Sequence, residues 1–269
     1  MSHRVVMDHL GRSIRVPTVP TRIICLCPSL TETLAVIGVG DRLVGRTRFC
    51  IHPMPELKSV TRVGGTKEVK YDRIHALEPD LIICEKEENT REIVETLSQR
   101  YPVFVTEIQG IDRAIAMVED LGELIGLGQE GRDLRANLSA ARKQVAPMEG
   151  NLRAAYMIWK DPWMGAGRDT FIDEMLNEMG LTNILRDMSG RYPEISLEAL
   201  ISIRPELILL SSEPYPFKEE HLKSLKAVLP HSHIELVDGE MFSWYGSHMI
   251  EGFSYIQELA RTWERLLSH

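Results

Sequence analysis

The feature that most constrains this chain is a unit that it contains twice. Residues 71–89 pass through a short amphipathic stretch (72–77), a Glu78-Pro79 break, Asp80, the apolar run Leu81-Ile82-Ile83-Cys84 and a polar exit that ends at Asn89. The residue before a proline is pushed out of the helical region, so the amphipathic stretch must stop there. A short apolar run bounded by turn signals predicts a strand buried on both faces, the habit of parallel sheets. Downstream the order returns. Asp72 aligns with Glu198, Leu77 with Ile203, Pro79 with Pro205 and Asp80 with Glu206, every pair 126 positions apart (198 − 72 = 126; 205 − 79 = 126). Gly38 and Gly180 also match in role, each closing the first helix of its half.

The flanking sequence completes two α/β halves. In the first, strands are predicted over 22–27, 41–45, 60–63 and 103–105, alternating with helices over 32–37 and 93–99. In the second, strands fall at 153–159, 207–210 and 234–237, with helices over 170–179, 197–203 (capped by Ser196), 219–228 and 249–267. Strands alternating with helices of this length imply parallel pairing through helical crossovers. Residues 1–21 read as a turn or hairpin lead-in. Residues 111–147 break the rhythm with two helices, the second charged and carrying Leu134, Leu138 and Ala141 on one stripe, the pattern of a connecting strut. The expected fold class is therefore α/β: two Rossmann-like lobes with parallel sheets, at 1–125 and 149–269, joined by one linker helix within 126–148. Open parallel sheets take ligands at the carboxyl ends of their strands, which here predicts a cleft shared by the lobes.

Composition removes several classes of function. The chain has 269 residues, enough for two lobes, and a net charge of −8, which a nucleic-acid backbone would repel. No apolar run approaches the roughly 18–20 residues of a membrane span. The N-terminal residues lack a secretory signal, so the chain is either cytoplasmic or has its signal outside this sequence. Cys25, Cys27, Cys50 and Cys84 all fall in the first third and form no disulfide framework, and reduced, buried thiols are expected. There is no nucleophile elbow, phosphate loop, zinc-protease motif or Cys-x-x-Cys pair. Neither an enzyme nor an intrinsic cofactor is expected.

The order Arg22-Ile-Ile, Pro28-Ser-Leu-Thr-Glu32, Gly64-Gly65, Asp72-Arg-Ile, Leu77-Glu-Pro79-Asp80-Leu-Ile, then Ser196-Leu-Glu198 and Pro205-Glu-Leu207-Ile resembles the helical-backbone class of substrate-binding proteins of ABC importers. The resemblance spans residues 20–265 and rests on order and duplication rather than on one motif. It implies a monomer that carries a metal chelate, of the iron-siderophore, haem or cobalamin type, to a membrane permease from outside the cytoplasm. It also implies that Asp72 and Glu198, each near a helix start, meet arginines of that permease; a carboxylate there equally serves the helix dipole. Asp72 is one methylene shorter than the family's usual glutamate. Thr66 and Glu85 stand where cobalamin-binding relatives have aromatic residues.

Candidate ligand contacts in the first half are Thr66, Lys67 and Glu85, with Arg46, Arg48 and Lys86 as further cations for an anionic ferric chelate. The Gly64-Gly65 amides are candidates for an anion. Cys50 and His52, two apart, share a side in an extended segment and suit zinc or another divalent metal. In the second half Trp159, Trp163, Glu213, Tyr215, Phe217, Phe242, Trp244, Tyr245 and His248 are the candidates, with most weight on the loop holding Trp244 and Tyr245, because large rings in a polar, glycine-containing loop are not placed by core periodicity. Two alternatives share this fold. One is a binder of bare zinc, manganese or iron ions that uses Cys50 and His52. The other is a cytoplasmic metal or corrinoid carrier or enzyme.

Overall fold

The computed structural model describes residues 2–149 and 151–267. An antiparallel hairpin of β1 (His3–Met7) and β2 (Ser13–Pro17) leads in. Then come β3 (Ile23–Cys25), α1 (Pro28–Ile37), β4 (Leu43–Arg46), α2 (Met54–Leu57), β5 (Thr61–Arg62), α3 (Tyr71–Ala76), β6 (Leu81–Glu85), α4 (Arg91–Ser98) and β7 (Val103–Thr106). Two helices follow, α5 (Ile111–Leu124) and α6 (Gly128–Arg142). The second half comprises β8 (Arg153–Trp159), β9 (Met164–Gly165), α7 (Phe171–Glu178), β10 (Thr182–Asn183), α8 (Leu197–Ile203), β11 (Leu207–Ser211), α9 (Glu219–Val228), β12 (His233–Val237), α10 (Glu240–Ser243) and α11 (Met249–Leu267).

These elements form two units. One contains the residues up to Ile108, Asp112–Ser139 and Tyr245–His248; the other contains Gln109–Ile111, Ala140–Trp244 and the chain from Met249 on. The first unit's sheet is all parallel in the order β5-β4-β3-β6-β7, so its order reverses between β3 and β6. The second unit's sheet runs β10-β8-β11-β12 in parallel, with β9 antiparallel on β8, and reverses between β8 and β11. Each sheet buries its central strands in an apolar core: Ile24, Ile82, Cys84, Ile93 and Val105 in the first, Ala155, Met157, Ile208, Leu210 and Ile234 in the second.

The repeat holds to the residue. Strands β6 and β11 begin and end 126 positions apart (207 − 81 = 126; 211 − 85 = 126), and all five residues of each are buried. Glu78 and Arg204, the residues before the two prolines (204 − 78 = 126), both leave the helical region for the left-handed one, at φ 44° and 52°. In the first unit Asp80 accepts the Thr21 and Arg22 backbone N–H groups at 2.8 and 2.9 Å, while Arg22 Nε donates to the Leu77 carbonyl at 2.8 Å. In the second, Glu206 accepts the Arg153 N–H at 3.0 Å and the Arg153 guanidinium donates to the Ile203 carbonyl at 3.0 Å. The acid after each proline therefore clasps the start of the neighbouring strand, and an arginine from that strand satisfies a carbonyl left open at the end of the helix.

The strut differs from expectation. Its helical residues are Gly128–Arg142, shorter than 126–148, and it packs closely on α5: a Cβ on Gly122 would lie 2.8 Å from Gly131 Cα. Leu134 and Leu138 are buried as the stripe predicts. The unit boundary at Ser139 falls inside this helix. Residues 245–248, expected with the second half, belong to the first unit. There the Ser247 N–H donates to Thr33 Oγ1 at 3.0 Å, and Gly246, at φ +81°, has no room for a Cβ beside that hydroxyl. Among the described residues no helix is long and apolar enough to cross a membrane.

Candidate ligand-binding site

In each sheet the switch point lies at the carboxyl ends of two neighbouring strands, where an open α/β sheet leaves a crevice. In the first unit these are the ends of β3 and β6. Glu85 closes β6 with 1% of its surface exposed, and its Oε2 accepts the N–H groups of Glu87 and Glu88 at 2.6 and 2.9 Å. Burial outweighs those bonds and lifts its carboxyl from the ordinary 4.5 to about 7. Asn89 organises the surroundings. Its Nδ2 donates to the carbonyls of Leu26 (3.1 Å) and Thr66 (3.0 Å), and its Oδ1 accepts the Glu85 N–H at 2.9 Å. Cys27 Sγ lies 3.7 Å from the Tyr245 hydroxyl, and burial, with Glu88 and Glu85 nearby, pushes its thiol well above the usual value.

The lip of this unit carries fewer free cations than expected. Arg46 is buried, donating to the carbonyls of Leu57, Thr47 and Cys50, and so holds the loop rather than a ligand. Lys67 donates to the Glu87 carbonyl and Lys86 to the Glu107 carboxylate. The Gly65 N–H goes to the Glu68 carbonyl at 2.7 Å, within a tight turn, which removes it as an anion donor. Arg48 and Phe49 remain exposed, the guanidinium 4.7 Å above the ring.

The proposed Cys50–His52 metal pair is not what the fold builds. Cys50 is fully buried, its Sγ 3.1 Å from the hydroxyls of Thr31 and Thr47, and burial raises its thiol away from the thiolate that a metal requires. His52 instead stands 6.0 Å, ring to ring, from His248, which pairs with Glu32 at 3.0 Å. Among the described residues no three His, Cys, Asp or Glu side chains converge as a metal site.

In the second unit the switch point is lined with rings. Trp159, closing β8, is 41% exposed and meets Tyr215 edge-on at 5.5 Å. Trp163 stacks on Phe217 at 5.7 Å, and Tyr215 packs on Phe217 at 4.7 Å. Beside them Glu213 Oε1 accepts Ser243 Oγ at 2.9 Å and the Trp244 indole N–H at 3.1 Å, and burial raises its carboxyl. Phe242 is a correction: it is fully buried between Tyr156 and Tyr255, so it is core. Tyr245 also leaves the group to which the sequence assigned it, lying in the first unit against Cys27. The sequence does not single out Asn89. Its only sequence signal is a polar residue ahead of the Thr90 helix cap, which reads as an ordinary turn.

Asp72 and Glu198 are both exposed in the first turns of α3 and α8. Glu198's own backbone N–H and the Ser196 hydroxyl hold its carboxyl below the usual range.

The sequence profile described as "periplasmic binding protein" matches residues 23–230. The chain belongs to the periplasmic binding protein family. This binding protein is 26% identical over 195 residues to a vitamin B12-binding protein of Vibrio parahaemolyticus, covering 71% of this chain and 70% of the relative. It is 24% identical over 270 aligned positions to an uncharacterised ABC transporter substrate-binding lipoprotein of Bacillus subtilis, covering 95% and 83%. Its fold matches the periplasmic heme-binding protein of Roseiflexus sp. RS-1 with a TM-score of 0.78 at 20% identity, covering 90% of this chain and 98% of that one.

Proposed function

We propose that this binding protein captures a metal chelate with a flat organic face, of the cobalamin, haem or ferric-siderophore type, and delivers it to an ABC importer from outside the cytoplasmic membrane. One observation carries the reading. Trp159 is exposed at the carboxyl edge of a parallel sheet and braced edge-on by Tyr215, an arrangement suited to holding a planar ligand. The membrane side of the reading draws on the family, and on a relative named as a transporter lipoprotein. The role is binding, not catalysis, with the chelate as cargo rather than cofactor, and the protein works as a monomer.

Tryptophan fluorescence titrated with cyanocobalamin, haemin and a ferric hydroxamate tests the capture step. At least one is expected to quench saturably, and Trp159→Ala to weaken that chelate about tenfold, as losing an aromatic anchor does. Quenching by none of the three rejects the reading. Asp72 and Glu198 serve the delivery step. Their exposure makes them poor contributors to stability but effective in orienting a charged partner. Asp72→Lys with Glu198→Lys is expected to lower chelate uptake by about an order of magnitude, because like charges across an interface cost several kcal/mol, while ligand affinity stays unchanged. Unchanged uptake removes the docking role.

A further inference from the structure

The loop between β11 and α9 fixes the position of one proton. His221, the third residue of α9, is buried, and its Nδ1 accepts the Lys218 backbone N–H at 2.9 Å, closing off the start of the helix. A neutral imidazole has one donor nitrogen and one acceptor nitrogen, so with Nδ1 accepting, the proton sits on Nε2. The Glu220 carboxylate, 3.9 Å from Nε2, favours the same placement. Nε2 faces the Tyr215 hydroxyl at 3.1 Å. The histidine must therefore donate and the tyrosine oxygen accept. Tyr215 cannot give its own proton to His221, and among the described residues that ring is its hydroxyl's only hydrogen-bond partner.

We infer that Tyr215 is a one-way hydrogen-bond donor selecting chelates that carry an oxygen acceptor (carboxylate, carbonyl or hydroxamate) at the rim of their flat face, and that His221 is the positioning residue that sets this polarity. The inference rests on the reading of Trp159 and Tyr215 as ligand contacts. Tyr215 is half-buried and braced by Trp159 and Phe217, so its hydroxyl is presented in one place. A group so held discriminates strongly, because a ligand that offers no acceptor, or that offers an N–H, leaves the buried side of the hydroxyl paired and its proton unmatched.

Two measurements test this. Ring-nitrogen NMR of the ligand-free protein should show His221 as the Nε2–H tautomer, and the Nδ1–H tautomer would overturn the inference whatever the protein binds. Fluorescence titration then compares haemin, which bears two carboxylates, with iron(III) etioporphyrin, which has the same ring and no peripheral oxygen. Cyanocobalamin, with its amide carbonyls, is titrated in parallel. Tyr215→Phe should weaken haemin or cyanocobalamin about tenfold, with etioporphyrin changed by less than about twofold. His221→Gln, whose amide N–H2 replaces the Nε2–H, should retain most of the affinity. His221→Asn, which keeps only the acceptor toward Lys218, should lose as much as Tyr215→Phe. Equal losses for haemin and etioporphyrin, or equal effects of Gln and Asn at 221, reject the selective role. If the wild type binds neither haemin nor cyanocobalamin, the functional reading falls and the ligand selectivity with it, while the tautomer result still decides the donor assignment.

Discussion

Replacing Glu85 with glutamine is expected to flatten the dependence of folding stability on pH between about 4.5 and 7. Burial raises this carboxyl to about 7 in the folded chain, so the folded state holds its proton more tightly than the unfolded state. An acid with a raised folded pKa stabilises fully below its unfolded value, and that contribution is lost as pH rises through the folded value. At about 1.4 kcal/mol per unit, the wild type should lose about 3 kcal/mol across this window from Glu85 alone. With 1% of the residue exposed, solvent screening does little to reduce the figure. Glutamine is neutral throughout, and its carbonyl can still accept the N–H groups of Glu87 and Glu88. The variant should therefore match the wild type near pH 5 and exceed it above pH 7, as read by urea denaturation at a series of pH values. Parallel curves for the two proteins would sink the assignment.

Asn89→Ala should be the most damaging single change near the first unit's switch point. The amide satisfies two carbonyls and one N–H that lie on three different segments: the end of β3, the turn at Thr66 and the end of β6. Leaving a buried polar group unpaired costs about 1–3 kcal/mol, so a loss of about 3–5 kcal/mol is expected once partial relaxation is allowed. Asn89→Asp sharpens the test. It keeps the acceptor for the Glu85 N–H but sets carboxylate oxygen against two carbonyl oxygens, and it should be no more stable than the alanine variant. A loss below about 1 kcal/mol for either would show that water replaces the amide without difficulty.

These two residues also mark the limit of what could be read from the chain. The repeated helix, proline turn and strand were legible because each depends on neighbours within a few positions: the pre-proline restriction, the acid, four apolar residues. The predicted bounds of α11 and the cap at Ser196 are local in the same way. Side-chain fate was legible only where periodicity decides it. Cys50 and His52 look alike as loop residues two apart, yet Thr47 and the sequence-distant Thr31 enclose the first, while the second stays half-buried. Phe242 and Trp244 sit in one aromatic cluster of the sequence. A four-residue helix turns the first into the core and the second toward Glu213. The rings of the second unit's aromatic face, Trp159, Trp163, Tyr215 and Phe217, are all legible as candidates, but their arrangement is not: nothing local says that Trp159, the last residue of a strand, is the most exposed of them.

The arginine–carbonyl–acid clasp has a consequence for how the two halves have been free to change. The offset that relates the two acids and the two helix-end carbonyls of the clasps also pairs Glu85 with Ser211 and Asn89 with Tyr215 (211 − 85 = 126; 215 − 89 = 126). At the clasp end both copies keep the same chemistry, with an acid after the proline and an arginine closing the helix. At the opposite end one copy became a buried polar knot and the other an aromatic platform. A repeated unit held by the same clasp at one pole leaves the other pole free to differ, and in this chain one sequence pattern carries two unlike faces.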